Sequence, residues 1–185
     1  LADKLVFSSV REALGGNIEI LISGGGSLSP ELCRLYHAMG LPIFEGYGLT
    51  ETAPIVSTNP PEEAKVGTIG PTVYDVDVKV DETVADQEAF TDDAGEVGEL
   101  LVNGPNVTQG YWNKPGATEG AFVEDDDGER WFRTGDIIHV RPDGYLEFRD
   151  RVKQIIVLST GKNVAPGPLE DAFAASEVVE QAMVV

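Results

Sequence analysis

The sequence predicts a mixed α/β fold: part of a parallel α/β sheet layer, then a small antiparallel β-barrel subdomain, then a short α+β segment. Three observations predict it. Residues 18–45 run strand, glycine turn, helix, strand; from about Lys65 the chain breaks into short alternating segments punctuated by Gly, Pro and Asp; near Arg151 the texture changes again. The boundaries follow these changes: 1–62 for the α/β layer, 63–150 for the β-rich part and 151–185 for the remainder.

Each element has its own reason. Residues 2–14 place Leu5, Val6, Val10 and Leu14 on one helical face, and Gly15-Gly16 ends the helix. IEILIS, 18–23, reads as a buried strand. After SGGG, Ser29-Pro30 opens the helix PELCRLYHAM, with serine as cap, proline in the first turn and Gly40 beyond the end. Residues 41–45 form a second short strand. Strand, crossover helix and strand imply parallel pairing, with binding loops at the carboxyl ends of the strands, where SGGG and GYG both fall. VGTIG, VDVKV, VGELLVNG, DIIHV and YLEFRD read as antiparallel strands of a small barrel or sandwich, with RPDGY as a hairpin turn. Beyond Arg151, VKQIIVL is expected as a strand, GKNVAPGP as a loop, LEDAFAAS as a short helix and VEQAMVV as a final strand cut off at the terminus.

Composition bounds the function. The chain has 185 residues, 42% of them apolar, enough for one sizeable core or parts of two domains. No apolar run approaches the ~20 residues of a membrane span, and the start lacks the layout of a secretion signal; a cytoplasmic protein with at most peripheral membrane contact is expected. Cys33 cannot form an internal disulfide, and His37 and His139 show no metal-ligand spacing, so all three are expected to be structural. With 32 acidic against 13 basic residues the net charge is −19. That disfavours nucleic acid as a partner. The acids are scattered apart from EDDDGE at 124–129, read as a solvated loop, and such a surface suits high salt, where screening removes self-repulsion.

Three stretches carry chemistry: SGGGSL at 23–28, GYGLTE at 46–51 and FRTGD at 132–136. Glycines admit a ligand close to the backbone, and the Tyr47 ring offers a flat face for a nucleobase opposite Gly24, Gly25 and Gly26. Thr50 is suited to donate to a phosphate oxygen. Glu51 is the oddity, because a carboxylate beside phosphates repels them unless a cation bridges, and Mg²⁺ fits that role. Asp136, a carboxylate after a glycine turn, is suited to accept from both hydroxyls of a ribose. Taken singly, each stretch is more often structural: SGGG a turn or joint, TGD a cap and Glu51 a helix-start acid. No GxxxxGK[ST], GxGxxG or GxSxG motif is present.

Taken in order, these stretches closely resemble the acyl-adenylate-forming superfamily, which includes acyl-CoA synthetases, firefly luciferase and peptide-synthetase adenylation domains. SGGGSL resembles its adenine-side glycine motif, GYGLTE its hexapeptide, GELLVNGPNVTQGYWNKP at 98–115 its GEL…G…GY…P stretch, WFRTGD its ribose motif and DGYLEFRDRVKQIIV at 143–157 its hinge region. VLSTGKNVAPGPLED and the SGGGSLSPE…GLPIFEGYGLTET frame are most like long-chain fatty acyl-CoA synthetases. The resemblance implies a fatty acid, ATP and CoA as substrates, with Mg²⁺, and a two-step reaction through acyl-AMP. It implies catalytic roles for Thr50 and Glu51, nucleotide contacts for Gly24, Gly25, Gly26, Tyr47, Gly48, Leu49, Thr50, Asp136 and Arg151, and Glu51 as the metal ligand. Lys153 corresponds to the pivot of a C-terminal lid domain that starts at 151, and Gly161 to the passage for the CoA arm.

Two of the family's parts are missing. Its phosphate loop would lie before Leu1, and its PxxxxGK-type lysine is not supplied after Val164; Lys162 belongs to an earlier loop. The chain is therefore read as a middle-to-late segment of a longer enzyme, inactive alone, with uncovered apolar sheet faces that favour self-association. Two rivals stay open: an aryl-CoA ligase or adenylation domain of the same superfamily, and a non-catalytic adenylate-binding scaffold.

Overall fold

A computed structural model describes residues 6–85, 90, 93–160, 163–174, 176, 178–179 and 181–184. Helix α1 (Ser8–Ala13) ends where Gly15 and Gly16 turn the chain through positive φ. Strand β1 (Leu21–Ser23) pairs in parallel with β2 (Ile43–Tyr47), Leu21 opposite Ile43, across helix α2 (Pro30–Ala38). Ser29 caps α2 as its spacing predicts: the hydroxyl accepts the Leu32 N–H at 3.2 Å.

Two expectations about this layer are corrected. The strand at 18–23 shortens to three residues and is not buried: Ile20 is 51% and Ile22 74% exposed, because among the described residues β2 is its only strand neighbour and no element covers the outer face. The second strand lies two residues later than expected. Gly46 and Tyr47 belong to it because β3 (Ser57–Thr58) returns antiparallel and pairs with them, Gly46 opposite Thr58 and Tyr47 opposite Ser57.

The strands between residues 77 and 151 form one antiparallel sheet, as the alternating segments there predict; VGTIG is corrected, being a turn with a single bridge from Gly70 to Leu146, because Gly67 and Gly70 bend the chain through positive φ. β4 (Asp77–Asp81), β5 (Glu96–Asn103) and β7 (Arg130–Val140) lie side by side in that order. The far edge of β7 is shared. Its first residues pair with β6 (Phe122–Glu124), which follows helix α3 (Pro115–Gly120), and residues from Asp136 onward pair with β8 (Leu146–Arg151). Between those two partners no described strand residue pairs with β7 on that edge, and the Arg133 N–H meets the Ala121 carbonyl at 2.9 Å. The RPDGY hairpin closes as expected, the Arg141 N–H meeting the Tyr145 carbonyl at 2.9 Å with Gly144 at positive φ.

One buried cluster joins the two layers: Val56, Ile69, Val76, Leu100, Val102, Ile138 and Leu146, with Tyr47 packed against it. A second, formed by Phe90, Val97, Ile137 and Ala165 with Val152 and Ile155 at its margin, seats the segment after Arg151 on the sheet. That segment departs from expectation. VKQIIVL is a 3-10 turn (Val152–Gln154) followed by the two-residue strand β9 (Ile156–Val157), which pairs with β10 (Asn163–Val164). A longer strand is pre-empted because Val152 and Ile155, three apart, turn together into the second cluster. Helix α4 (Pro166–Ala174) begins earlier than LEDAFAAS suggests, since Pro166 suits a first helical turn. Residues 181–184 are not in a strand: no described strand lies alongside to pair with them, and the Val184 N–H instead meets Glu170 Oε1 at 2.9 Å.

Cys33 is buried and free. Nε2 of His37 lies 2.8 Å from the Ile43 carbonyl oxygen, and buried His139 is fixed between Glu147 Oε2 at 2.9 Å and the Ala94 carbonyl at 3.1 Å. The acidic run 124–129 is more than a solvated loop. Asp125 accepts from Lys79 Nζ at 2.9 Å, Trp131 Nε1 at 2.7 Å and the Glu129 N–H at 2.9 Å, tying the loop to the sheet. Among the described residues no helix is long and apolar enough to cross a membrane.

Candidate functional site

The carboxyl ends of β1 and β2 lie side by side, which brings the two glycine stretches together. A Cβ on Gly24 would stand 3.3 Å from the Gly46 carbonyl oxygen, so the backbones touch where any side chain would crowd them. Gly25 adopts φ +80° in open space, Gly26 also faces open space, and all three glycines are exposed. The end of this loop is tethered: the Leu28 N–H donates to Glu45 Oε1 at 3.2 Å, and burial pushes that carboxyl up from its ordinary value.

Tyr47 links this corner to the antiparallel sheet. Its ring packs against the joint core and its hydroxyl donates to Asp136 Oδ2 at 2.8 Å. Burial, then the Asp136 charge, push the phenol well above its ordinary range. On the other side of Asp136, Arg151 Nε lies 3.4 Å from Oδ1, the two residues being directly paired between β7 and β8. Burial raises the Asp136 carboxyl, while the Tyr47 hydroxyl and the Arg151 charge hold it down.

An open cleft of about 360 Å³ lies beside this pair, where the edge of β7 passes from β6 to β8. Leu49, Arg133, Asp136, Arg151 and Lys153 are among its walls. Its lining carries Arg133, Arg151 and Lys153 against Glu99 and Asp136, a local positive excess on a chain of net charge −19. Such a cleft favours an anionic ligand.

GYGLTE continues past Leu49 into a 3-10 turn, Thr50–Thr52. Gly48 is required there, since a Cβ would fall 1.7 Å from the Pro54 carbonyl oxygen. Thr50 is exposed, and half-buried Glu51 accepts from the Tyr111 hydroxyl at Oε1, 2.8 Å away, while its backbone carbonyl accepts the Thr108 N–H at 2.7 Å. Donating to Glu51 raises the Tyr111 phenol. Leu49, Asp136, Arg151 and Lys153 thus line one cleft; Tyr47 is tied to it through its bond to Asp136, and Gly24 touches the same strand at Gly46. Thr50 and Glu51 stand next to Leu49 without lining the cleft, and Gly161 lies outside the described residues.

One expectation about this site is corrected in form. TGD is not a turn but a bulge within an unbroken strand, because β5 and β7 both continue past it and pair on either side. Several residues at the site were not singled out from sequence. Tyr111 and Asn106 hold the GYGLTE turn, Asn106 Nδ2 reaching the Thr52 carbonyl at 2.9 Å and the Ile55 carbonyl at 2.7 Å. Glu99, Arg133 and Thr134 support the bulge. Glu99 and Tyr111 fall within the GEL…G…GY…P stretch without a role being assigned to them, and Glu99 also stands out as a carboxylate inside the apolar run VGELLV.

A family model described as AMP-binding enzyme matches residues 2–112. A long-chain-fatty-acid–CoA ligase of Mycobacterium bovis, FadD15, is 42% identical over 183 residues, 99% of this chain and 27% of that protein. Long chain acyl-CoA synthetase 8 of Arabidopsis thaliana is 39% identical over 185 residues, 100% of this chain and 26% of that protein. ATP-bound MatB from Rhodopseudomonas palustris superposes with a TM-score of 0.77 at 30% identity, covering 99% of this chain and 35% of that one. The chain spans about a quarter of the length of these curated relatives.

Proposed function

The chain belongs to the family of AMP-binding enzymes, and from that premise we propose that it forms the nucleotide-facing part of a long-chain fatty acyl-CoA ligase. The reaction has two steps. A carboxylate oxygen of the fatty acid attacks the α-phosphorus of ATP, forming the acyl phosphate bond and releasing pyrophosphate. The sulfur of CoA then attacks the acyl carbonyl carbon, the thiol proton is lost, and AMP leaves with the bonding pair. Chain length is assigned from the named relatives.

The observation that carries the proposal is a chain of contacts linking three distant stretches, Gly24 against Gly46, Tyr47 on Asp136 and Asp136 on Arg151, which ends at a cleft lined by Asp136 and Arg151. On this reading Asp136 accepts from the ribose hydroxyls and Arg151 contacts the same sugar. The loop of Gly24, Gly25 and Gly26 and the Tyr47 side flank the base, with Gly48 and Leu49 along the nucleotide. Thr50 donates to a phosphate oxygen. Such a transfer needs positioning and charge neutralisation more than covalent help from the protein.

Glu51 suits a Mg²⁺ ion carried by ATP. The Tyr111 hydroxyl fixes one of its oxygens, and Mg²⁺ typically takes one or two carboxylates and fills its shell with water and phosphate oxygens. Bound there, the ion would neutralise phosphate charge.

Residues 1–62 and 63–150 are assigned to the α/β layer and the β-barrel subdomain of the larger catalytic unit. Residues 151–185 begin its lid, with Lys153 as pivot and Gly161 toward the CoA arm. The cytoplasm, where ATP and CoA are available, is the compartment this reading assigns. The test is pyrophosphate release by the protein that carries this sequence, given ATP, Mg²⁺ and a panel of carboxylic acids. Release with long-chain acids is expected. Release only with short or aromatic acids overturns the chain-length assignment, and none with any acid overturns the catalytic one.

A further inference from the structure

A bulge takes backbone groups out of the ladder, and each must find another partner. Between the Leu101–Arg133 and Glu99–Ile137 pairs, Thr134, Gly135 and Asp136 all stand opposite the single residue Leu100. Three side-chain bonds replace the lost ones. The Gly135 N–H donates to Glu99 Oε1 at 3.0 Å, the Asp136 N–H to Thr134 Oγ1 at 3.2 Å, and the Thr134 hydroxyl to the Leu100 carbonyl at 2.9 Å. Gly135 takes φ +73°, so the bulge is tight as well as supported. Glu99, only 4% exposed, gives its second oxygen to the Arg133 guanidinium, which also reaches Asp81 Oδ2 at 3.3 Å. A buried carboxylate is tolerable because both oxygens are paired.

We propose that Glu99 is a positioning residue for nucleotide recognition: by holding the Gly135 N–H and Arg133 together it sets the bulge that aims Asp136 into the cleft, with Thr134 completing the support. The inference rests on the nucleotide reading of the cleft. It adds a residue that acts through Asp136.

The test uses sugar discrimination in the protein that carries this sequence, comparing kcat/KM for ATP and 2′-deoxy-ATP. In Glu99→Gln the single carbonyl oxygen cannot serve both the Gly135 N–H and Arg133. Thr134→Val removes one hydroxyl at constant size. If Glu99 and Thr134 aim Asp136, either variant lowers the preference for ATP over 2′-deoxy-ATP by roughly tenfold, the worth of one well-placed hydrogen bond, expressed mainly in KM. A merely structural role lowers kcat/KM for both nucleotides by the same factor, and an unchanged preference in folded variants overturns the inference. If Glu99→Gln fails to fold, Thr134→Val decides the matter on the same ratio. A wild-type protein that accepts both nucleotides equally, or neither, removes the ribose reading and this inference with it.

Discussion

Gly48→Ala is a small change with a large expected effect. A Cβ there would stand 1.7 Å from the Pro54 carbonyl oxygen, 2.7 Å from its carbonyl carbon and 2.9 Å from Ile55 Cα. Close carbon–oxygen contacts lie at roughly 3.3 Å, so the two segments must part by about 1.6 Å. They are not free to do so. Thr52 Oγ1 donates to the Pro54 carbonyl at 3.0 Å, Asn106 Nδ2 to the Ile55 carbonyl at 2.7 Å, and the Val56 N–H to the Tyr47 carbonyl at 2.8 Å. Overpacking of about 1–3 kcal/mol, together with one or more lost hydrogen bonds of about 1 kcal/mol each, gives a cost near 3 kcal/mol. For a chain of this size that lowers Tm by about 6–12 °C. The control is Gly26→Ala, whose Cβ meets nothing within 4 Å and which should melt within about 0.5 kcal/mol of wild type. Urea and thermal denaturation of the 185-residue chain read both variants. Should Gly48→Ala melt with the control, the tight turn beside Glu51 is misdescribed.

Tyr111→Phe removes only the hydroxyl on Glu51; a loss of about 1 kcal/mol in urea unfolding is expected, with weaker Mg²⁺-ATP use by the complete protein, and an unchanged dependence on Mg²⁺ would separate Glu51 from the ion. The Lys79 ammonium, then the Glu129 N–H and Trp131 indole, lower the Asp125 carboxyl to about 2. Its folded value lies below its unfolded one, so its contribution is present above about pH 4 and lost as pH falls toward about 2. The stability gap between wild type and Asp125→Asn should close over that window, and a gap constant with pH would contradict the contacts. Burial raises the Asp136 carboxyl, so nucleotide binding should weaken on acidification from above the ordinary carboxylate range; a midpoint at or below that of an exposed aspartate in a pH titration of KM for ATP would count against its buried placement. With a net charge of −19, Tm should rise as KCl goes from about 0.1 M toward about 1 M, where the Debye length shortens from about 10 to about 3 Å; equal melting in both would remove the high-salt reading of the surface.

Local rules served well where one turn or one periodicity decides the outcome. The Ser29-Pro30 helix start, the parallel pairing of the two strands around it, the RPDGY hairpin and the antiparallel character of the middle all followed from spacing and turn chemistry. Where an element's fate depends on a neighbour, the same rules failed. IEILIS is apolar enough to be buried, yet Ile22 lies open because burial is a property of what packs on the strand. VKQIIVL has the composition of a strand, but Val152 and Ile155 dock on the sheet's second cluster in a turn. The candidate site divides in the same way. Its glycines and carboxylates were legible by type and order, whereas Tyr111, Asn106 and Glu99, which hold them, are linked to them only through space.

The linear order of residues determined the chemistry on offer: close-approach glycines, an aromatic ring, carboxylates that need a cation or hydroxyls for partners, and the family to which that order belongs. Tertiary structure decided which of these meet. Tyr47 and Asp136 are 89 residues apart yet share one proton donor and acceptor, because β2 and β7 border a common core. Whether TGD turns or bulges was likewise settled by pairing on both flanks. A side chain's chemistry is intrinsic to it, but its partners and its exposure to water are set by chain segments that local sequence does not specify.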